Sequence, residues 1–287
     1  MSQVGTIKEI WRYPVKGMAG EPLESCALTE KGLSGDRIWA LRDTARKEIQ
    51  SCKFRPELLL CSARVRGEPS TDPVSNVDVT FPDGLELGSE RAEIHEKLST
   101  LVGHPSTLEA LRPESDVDFY KRHKLDDHTW LEELKATFDR EPGEPLPDFS
   151  QLPPPLVDYV SFPGTFFLVT PIHVVTTATL AYLKSKNSQA DWDRRRFRPN
   201  ILIETDAGAD GLLEQEWVGK QIKIGDATID CAGATPRCGA TTRAQPQLKI
   251  DKTILRTVIR DADQNVGVYG MIATGAPIRV GDPVFVT

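Results

Sequence analysis

Apolar positions recur at helical spacing in only a few stretches of the chain. Between about Ser89 and Val102, the residues Ile94, Leu98, Leu101 and Val102 share one face ahead of Gly103, which predicts a helix with a glycine stop. Trp130, Leu131, Leu134 and Phe138 predict a second helix leading into a proline-rich stretch. Val174, Ala178, Ala181 and Tyr182 follow helical spacing behind Pro171, and Asp251 is placed to cap a helix carrying Ile254, Leu255, Val258 and Ile259. Elsewhere the pattern is short β-branched and aromatic runs broken by turn residues such as Pro82-Asp83-Gly84. Two runs echo each other: Gln221 to Asp226 and Pro277 to Asp282 both alternate and end in Gly-Asp, a turn signal. Short strands, tight turns and few intervening helices predict an antiparallel barrel rather than a doubly wound sheet. The fold class is therefore mainly β with α additions (α+β).

Prolines divide the chain. Six of the 21 lie between Pro142 and Pro155, and such a stretch neither continues a helix nor enters a central strand. The expected organisation is a β-rich domain over 1–110, a helical and proline-rich connecting segment over 111–156, and a second β domain over 157–287. A chain of 287 residues suffices for two cores, and its 39% apolar and 27% charged content is that of an ordinary globular protein. The net charge of -7 argues against nucleic acid as a partner, because that binding needs a basic footprint; a local basic pocket stays possible. No apolar run approaches the roughly 20 residues of a membrane span. The opening segment from Met1 to Pro14 lacks the basic start and apolar core of a secretory signal, so a cytoplasmic protein with no membrane partner is expected. The cysteines are Cys26, Cys52, Cys61, Cys231 and Cys238. An odd number with no C-x-x-C pair fits neither a disulfide framework nor a structural zinc site.

Candidate chemistry then comes from local context. Arg194 to Arg196, Arg198 and Asn200 precede the apolar run Ile201-Leu202-Ile203. Guanidinium groups at a strand start can hold a phosphate or carboxylate, or they can be a solvated run flanked by Asp191 and Asp193. Strand alternation would point Arg196 and Arg198 to the same side. Lys16 lies in the turn Tyr13-Pro14-Val15-Lys16-Gly17, and Arg37 follows Gly35-Asp36 before an apolar run. With the arginine cluster they could form a composite anion pocket between the two domains. Cys238, in Pro236-Arg237-Cys238-Gly239, has basic and polar neighbours that favour a thiolate, the form that serves as nucleophile or soft metal ligand. His173, the nearest histidine in sequence to Cys238, reads as a core or helix-start residue rather than a base. Cys231 reads as a strand residue, and a bridge to Cys238 is disfavoured in a cytosolic setting.

These pieces, in this order, resemble the MOSC family in the arrangement with an N-terminal MOSC β-barrel domain. The first domain is similar through Tyr13 to Gly17, Gly32-Leu33 and Gly35 to Trp39. The second is similar through Thr176 to Leu180, Arg196 to Asn200, Trp217, Ile224 to Asp226, Pro236 to Cys238 and Gly281 to Val284. The resemblance implies two β-barrel domains and a molybdenum–pterin cofactor (Mo-molybdopterin), with Cys238 as both the metal ligand and the catalytic residue. It implies that Lys16, Arg37, Arg198 and Asn200 contact the pterin and its phosphate, with Thr176, Arg196 and Arg237 beside them. Pyridoxal phosphate binding is a further association of the family. The implied activity is reduction of small N-hydroxylated or N-oxide molecules; the alternatives are a sulfur or cofactor carrier and a metal-free MOSC domain. Pro236 and Gly17 stand where the amidoxime-reducing members carry hydroxyl residues. The chain closes after Val284-Phe285-Val286-Thr287 with no C-x₄-C-x₂-C spacing, so electrons are expected from a separate haem protein and reductase or a ferredoxin-type donor.

Overall fold

The computed structural model describes residues 1–123, 130–148, 158–167 and 169–287, with nothing said of the side chain of residue 130. The second half of the proline-rich stretch, 149–157, lies outside the described residues. In chain order, the strands of the first half are β1 (Ser2–Arg12), β2 (Glu21–Leu23), β3 (Ser25–Thr29), β4 (Gly32–Leu33), β5 (Trp39–Asp43), β6 (Glu48–Ile49), β7 (Ser62–Val65), β8 (Val77–Thr80), β9 (Glu86–Gly88) and β10 (Ser106–Ala110). Helix α1 (Glu93–Val102) lies between the last two, and α2 (Val117–Tyr120) and α3 (Trp130–Thr137) follow them. The second half runs β11 (Ile172–Thr176), α4 (Thr177–Lys186), β12 (Ile201–Thr205), β13 (Gln221–Ile224), β14 (Ala227–Pro236), α5 (Thr253–Asp261), β15 (Asn265–Thr274), β16 (Pro277–Arg279) and β17 (Pro283–Val286).

Seven strands close a barrel in the order β12-β11-β15-β14-β13-β17-β1, with β1 returning to pair with β12 and carrying β2 on its far end. Every ladder around it is antiparallel except β11–β12, whose parallel pairing follows from the α4 crossover. Ile7, Ile10, Ile172, Val174, Ile201, Ile203, Ile222, Ile229, Val268 and Val284 fill the interior. Ile7 and Ile10 are three apart yet both face inward, because the β1 register slips between Ile7 and Glu9. A bulge resets the two-residue alternation at that point. The paired Gly-Asp segments are turns as expected: Ile224 pairs with Ala227 across Gly225, and Gly281 leads into β17.

The first half contributes two three-stranded sheets, β10-β5-β6 and β7-β8-β9, over a second core of Val15, Met18, Leu41, Leu58, Val79, Ile94 and Leu98. Helix α1 covers this core with Ile94, Leu98 and Val102, and Gly103 ends it in the left-handed conformation. Packing nevertheless crosses the division at 110. Strand β1 completes the barrel of the second half, and Cys26, Leu28 and Leu33 pack in its core.

One helix expectation is corrected. Val174 does not begin α4 but lies in β11, where all five residues are buried. A short apolar run covered on both faces loses the alternation that identifies a strand, and so mimics a helix start. Thr176 caps α4, its hydroxyl accepting from the Thr179 amide at 3.2 Å. The expected cap is shifted: the residue directly before α5 is Lys252, without a side-chain cap bond, and Asp251, one residue earlier, accepts from the Thr253 amide at 2.9 Å.

Candidate functional site

A cavity of about 430 Å³ opens where the barrel meets the first-half sheets. The Tyr13–Gly17 turn and the Gly35–Trp39 segment form one backbone unit: Arg37 N–H donates to the Tyr13 carbonyl, Ile38 N–H to Pro14 and Lys16 N–H to Trp39. The buried Asp36 carboxylate ties the unit to the barrel, accepting from the Tyr13 amide at 2.6 Å, from Asn200 Nδ2 at 3.3 Å and from Arg37. Burial pushes the Asp36 carboxyl above the usual carboxylate value, against the pull of Arg37 and the Tyr13 amide. Two motifs far apart in sequence are thus held as one wall of the cavity.

Seven of the eight expected site residues line this cavity: Lys16, Arg37, Arg196, Arg198, Asn200, Arg237 and Cys238. They do not play equal parts. Arg198 adopts φ 55, in the left-handed region that a bulky residue enters only when its surroundings hold it. Its guanidinium lies 4.3 Å from the centre of the Tyr13 ring, and its Nη1 is buried without a hydrogen-bond partner among the described residues. Arg37, also left-handed at φ 50, sits 5.4 Å from the same ring. Tyr13, its hydroxyl donating to the Pro199 carbonyl at 3.0 Å, is therefore a platform for two guanidinium groups. Lys16 is buried, donating to the Phe166 carbonyl at 2.7 Å and to Ser161 Oγ at 3.2 Å.

Arg196, Asn200 and Arg237 line the wall with their polar groups already engaged. Arg196 donates to the backbone carbonyls of Asp191 and Lys249, bracing the loop behind Cys238. Asn200 donates to the Trp11 carbonyl and Asp36 and accepts from the His173 amide. Arg237 donates to the carbonyls of Val266 and Phe197 and to the His173 ring. The expectation that Arg196 and Arg198 alternate along a strand is corrected. Arg194–Arg196 form a 3₁₀ turn, and β12 begins only at Ile201. The two preceding arginines stay out of the cavity as half-buried ion pairs: Arg194 with Glu9 and Arg195 with Asp193. Thr176, expected near the cofactor, lies elsewhere. It is fully buried and hydrogen-bonds at 2.6 Å to Glu214, whose carboxyl burial pushes upward.

Cys238 lies two residues past the end of β14 and opens a 3₁₀ turn over Gly239–Thr242, its carbonyl accepting from the Thr241 amide and hydroxyl. It is partly exposed, whereas Cys231, in β14, is buried in the barrel core with its thiol pushed up to about 12 by burial. All five cysteines are free thiols.

Cys52 and Lys53 also line the cavity, and sequence reasoning missed them, since neither sits in a motif. Burial raises the Cys52 thiol, with Arg198 opposing. Gly17 explains why no hydroxyl residue follows Lys16: at φ +89, a Cβ there would stand 2.9 Å from the Cys52 amide nitrogen. His173 lines the cavity too, yet it is a satisfied strand residue. Burial, then the neighbouring Arg237, lowers its pKa well below the usual value and keeps it neutral.

The cavity is strongly basic in an acidic protein. Its lining holds seven cationic side chains against one carboxylate, Asp148, among the described residues. The Lys16 ammonium is pushed down to about 7, first by burial and then by Arg37 and Lys53. Its proton affinity is lower folded than unfolded, so the empty protein gains stability as pH rises from about 7 towards 10.5. A bound anion reverses the local preference and favours the charged amine. Inorganic phosphate affinity should therefore fall severalfold as pH rises from about 7 to about 9, with proton uptake on binding above pH 7. Calorimetry in buffers of different ionisation enthalpy checks this, and Lys16→Met should flatten the dependence.

Residues 165–285 match the MOSC domain family, and residues 4–118 match the MOSC N-terminal beta barrel domain. Among curated proteins, the chain is 24% identical over 324 aligned positions to mitochondrial amidoxime reducing component 2 of Homo sapiens, covering 99% of this chain and 84% of that one. It is 26% identical over 328 positions to mitochondrial amidoxime-reducing component 1 of Homo sapiens, with the same coverage. Among solved structures, the YUAD protein from Bacillus subtilis aligns with a TM-score of 0.43 at 9% identity, over 99% of this chain and 95% of that one. No helix among the described residues is long and apolar enough to cross a membrane.

Proposed function

This chain belongs to the MOSC-domain family, with the family's N-terminal β-barrel domain ahead of its MOSC domain, and on that premise we propose that it reduces small N-hydroxylated or N-oxide molecules with a molybdenum–pterin cofactor. The reductive class is supported by its amidoxime-reducing relatives. The observation that carries the cofactor reading is the buried Nη1 of Arg198, without a hydrogen-bond partner among the described residues, in the same cavity as the partly exposed thiol of Cys238. A buried guanidinium nitrogen without an acceptor is costly to keep, and an anionic ligand would satisfy it.

The residues fit such a group. Cys238 offers a soft sulfur ligand for the metal, and Lys16, Arg37 and Arg198 offer charge-assisted donors to the pterin and its phosphate. Bound there, the cofactor supplies the two-electron redox chemistry. The Tyr13 ring packs against both Arg37 and Arg198, so less side-chain freedom remains to be lost on binding. Arg237 and Asn200 hold the β12 start, the β14 end and the Asp36 hub in register, which sets where the Cys238 thiol stands relative to those cations. Electrons would come from a separate donor protein of the haem–reductase or ferredoxin type.

Protein made in a host that synthesises the pterin should carry close to one molybdenum per chain, and a folded preparation with neither metal nor pterin would refute the reading. Arg198→Ala should lower pterin content per chain about tenfold, the loss of one charge-assisted contact. Dye-driven turnover per bound molybdenum should change far less than turnover per protein.

A further inference from the structure

The cavity holds more positive charge than the cofactor contacts explain, and the surplus sits against apolar surface. Arg196 and Arg237 are engaged by backbone carbonyls, and Arg37 is paired with Asp36. Arg122 has Glu48 and Glu133 for company. Lys53 differs from all of these: among the described residues its ammonium has neither a hydrogen bond nor an ion pair, and it lies 5.6 Å from the centre of the Phe138 ring, which also carries the Arg140 guanidinium at 5.3 Å. It is partly buried. Phe138 and Leu134 come from α3 and its end, and both line the same cavity. An ammonium held over an aromatic face, next to an aliphatic side chain and short of a counter-charge, is a site for a molecule with an apolar body and one negative end.

We propose that the molecule reduced at this site is an anion: a small N-hydroxylated or N-oxide compound whose apolar, preferably aromatic, body lies against Leu134 and Phe138 and whose carboxylate pairs with Lys53. This rests on the reductive reading above for the reacting group, while the anion subsite stands on Lys53 and its surroundings alone. Arg198 and Lys16 are left to the cofactor, and Lys53 selects among substrates by charge. Selectivity of this kind is a difference in affinity between charged and neutral analogues of the same shape.

The test compares benzamidoxime with 4-carboxybenzamidoxime on the molybdenum-loaded protein, by calorimetric binding and by turnover with a reduced viologen dye. Wild-type protein should bind the carboxylated compound about tenfold more tightly, the worth of one charge-assisted pair. Lys53→Gln should bring the two affinities within about twofold by weakening only the carboxylated one, and Lys53→Arg should restore most of the preference. Equal affinities in wild type, or a preference that survives Lys53→Gln, would overturn the proposal. So would a fall in pterin content in Lys53→Gln, which would assign Lys53 to the cofactor instead. If the binding preference holds while neither compound is turned over, the anion subsite stands and the reductive reading fails. Turnover of both compounds without a preference would do the reverse, removing the subsite and leaving the reductive reading in place.

Discussion

Cys238→Ala should reduce amidoxime turnover to the background of the dye reaction and molybdenum retention to a small fraction of wild type, with melting temperature almost unchanged. The thiol sits at the cavity rather than in a core, on a residue whose backbone opens a 3₁₀ turn, so alanine removes chemistry and little packing. Cys231→Ala is the internal control because it lies seven residues earlier, within β14 itself, with the opposite surroundings. It packs in the barrel core beside Ile229 and Val268, and its burial holds the thiol protonated at any working pH. Truncation there should cost about 1 kcal/mol or more through lost packing, while activity per folded chain stays at wild-type level. Metal content, melting temperature and turnover measured on both variants separate the two roles. Wild-type turnover in Cys238→Ala would remove the thiolate from the mechanism.

Arg237→Ala should be the most destabilising single change in the cavity wall, by about 3 kcal/mol. The buried guanidinium donates to the carbonyls of Val266 and Phe197 and to the His173 ring; alanine leaves the Phe197 carbonyl without this donor and leaves Val266 only its contact with the His173 ring. The same change releases the β14 end from β15 and the β12 start, so Cys238 should lose its position along with the fold's stability. A drop of several degrees in melting temperature, accompanied by loss of molybdenum, is the expected pair of results; Arg237→Lys should recover only part of either, since an ammonium does not reproduce the fork of donors. His173 adds a pH signature. Its folded pKa is depressed, so the unfolded chain binds more protons below about pH 6.5, and stability falls as pH is lowered through that value. Unchanged stability in Arg237→Ala would mean that the buried bonds at this wall contribute nothing net.

Much of this protein is local enough to be read along the chain. The α1 stripe of Ile94, Leu98 and Val102 with its glycine stop, the Gly-Asp turns, the apolar face of α5 and the scarcity of long helices all depend on a few neighbouring residues, and they suffice to imply a barrel with α additions. The arginine cluster and Cys238 are also visible as polar groups at the edges of apolar runs, and they do meet around one cavity. What the chain order does not show is which side each group faces and what reaches it from elsewhere. The left-handed turn at Arg198 presents that guanidinium to Tyr13 while Arg196, two residues earlier, is taken by the carbonyls of Asp191 and Lys249. Val174 looks helical because burial on both faces of β11 removes the polar alternation that marks a strand. Thr176 belongs to Glu214 rather than to the cavity, and Cys52 and Lys53 enter the cavity from a segment with no motif at all. Strand β1 closes a barrel whose next strand begins about 160 residues later. These outcomes are set by long-range pairing and by single backbone angles, which decide contacts between groups that local periodicity never brings together.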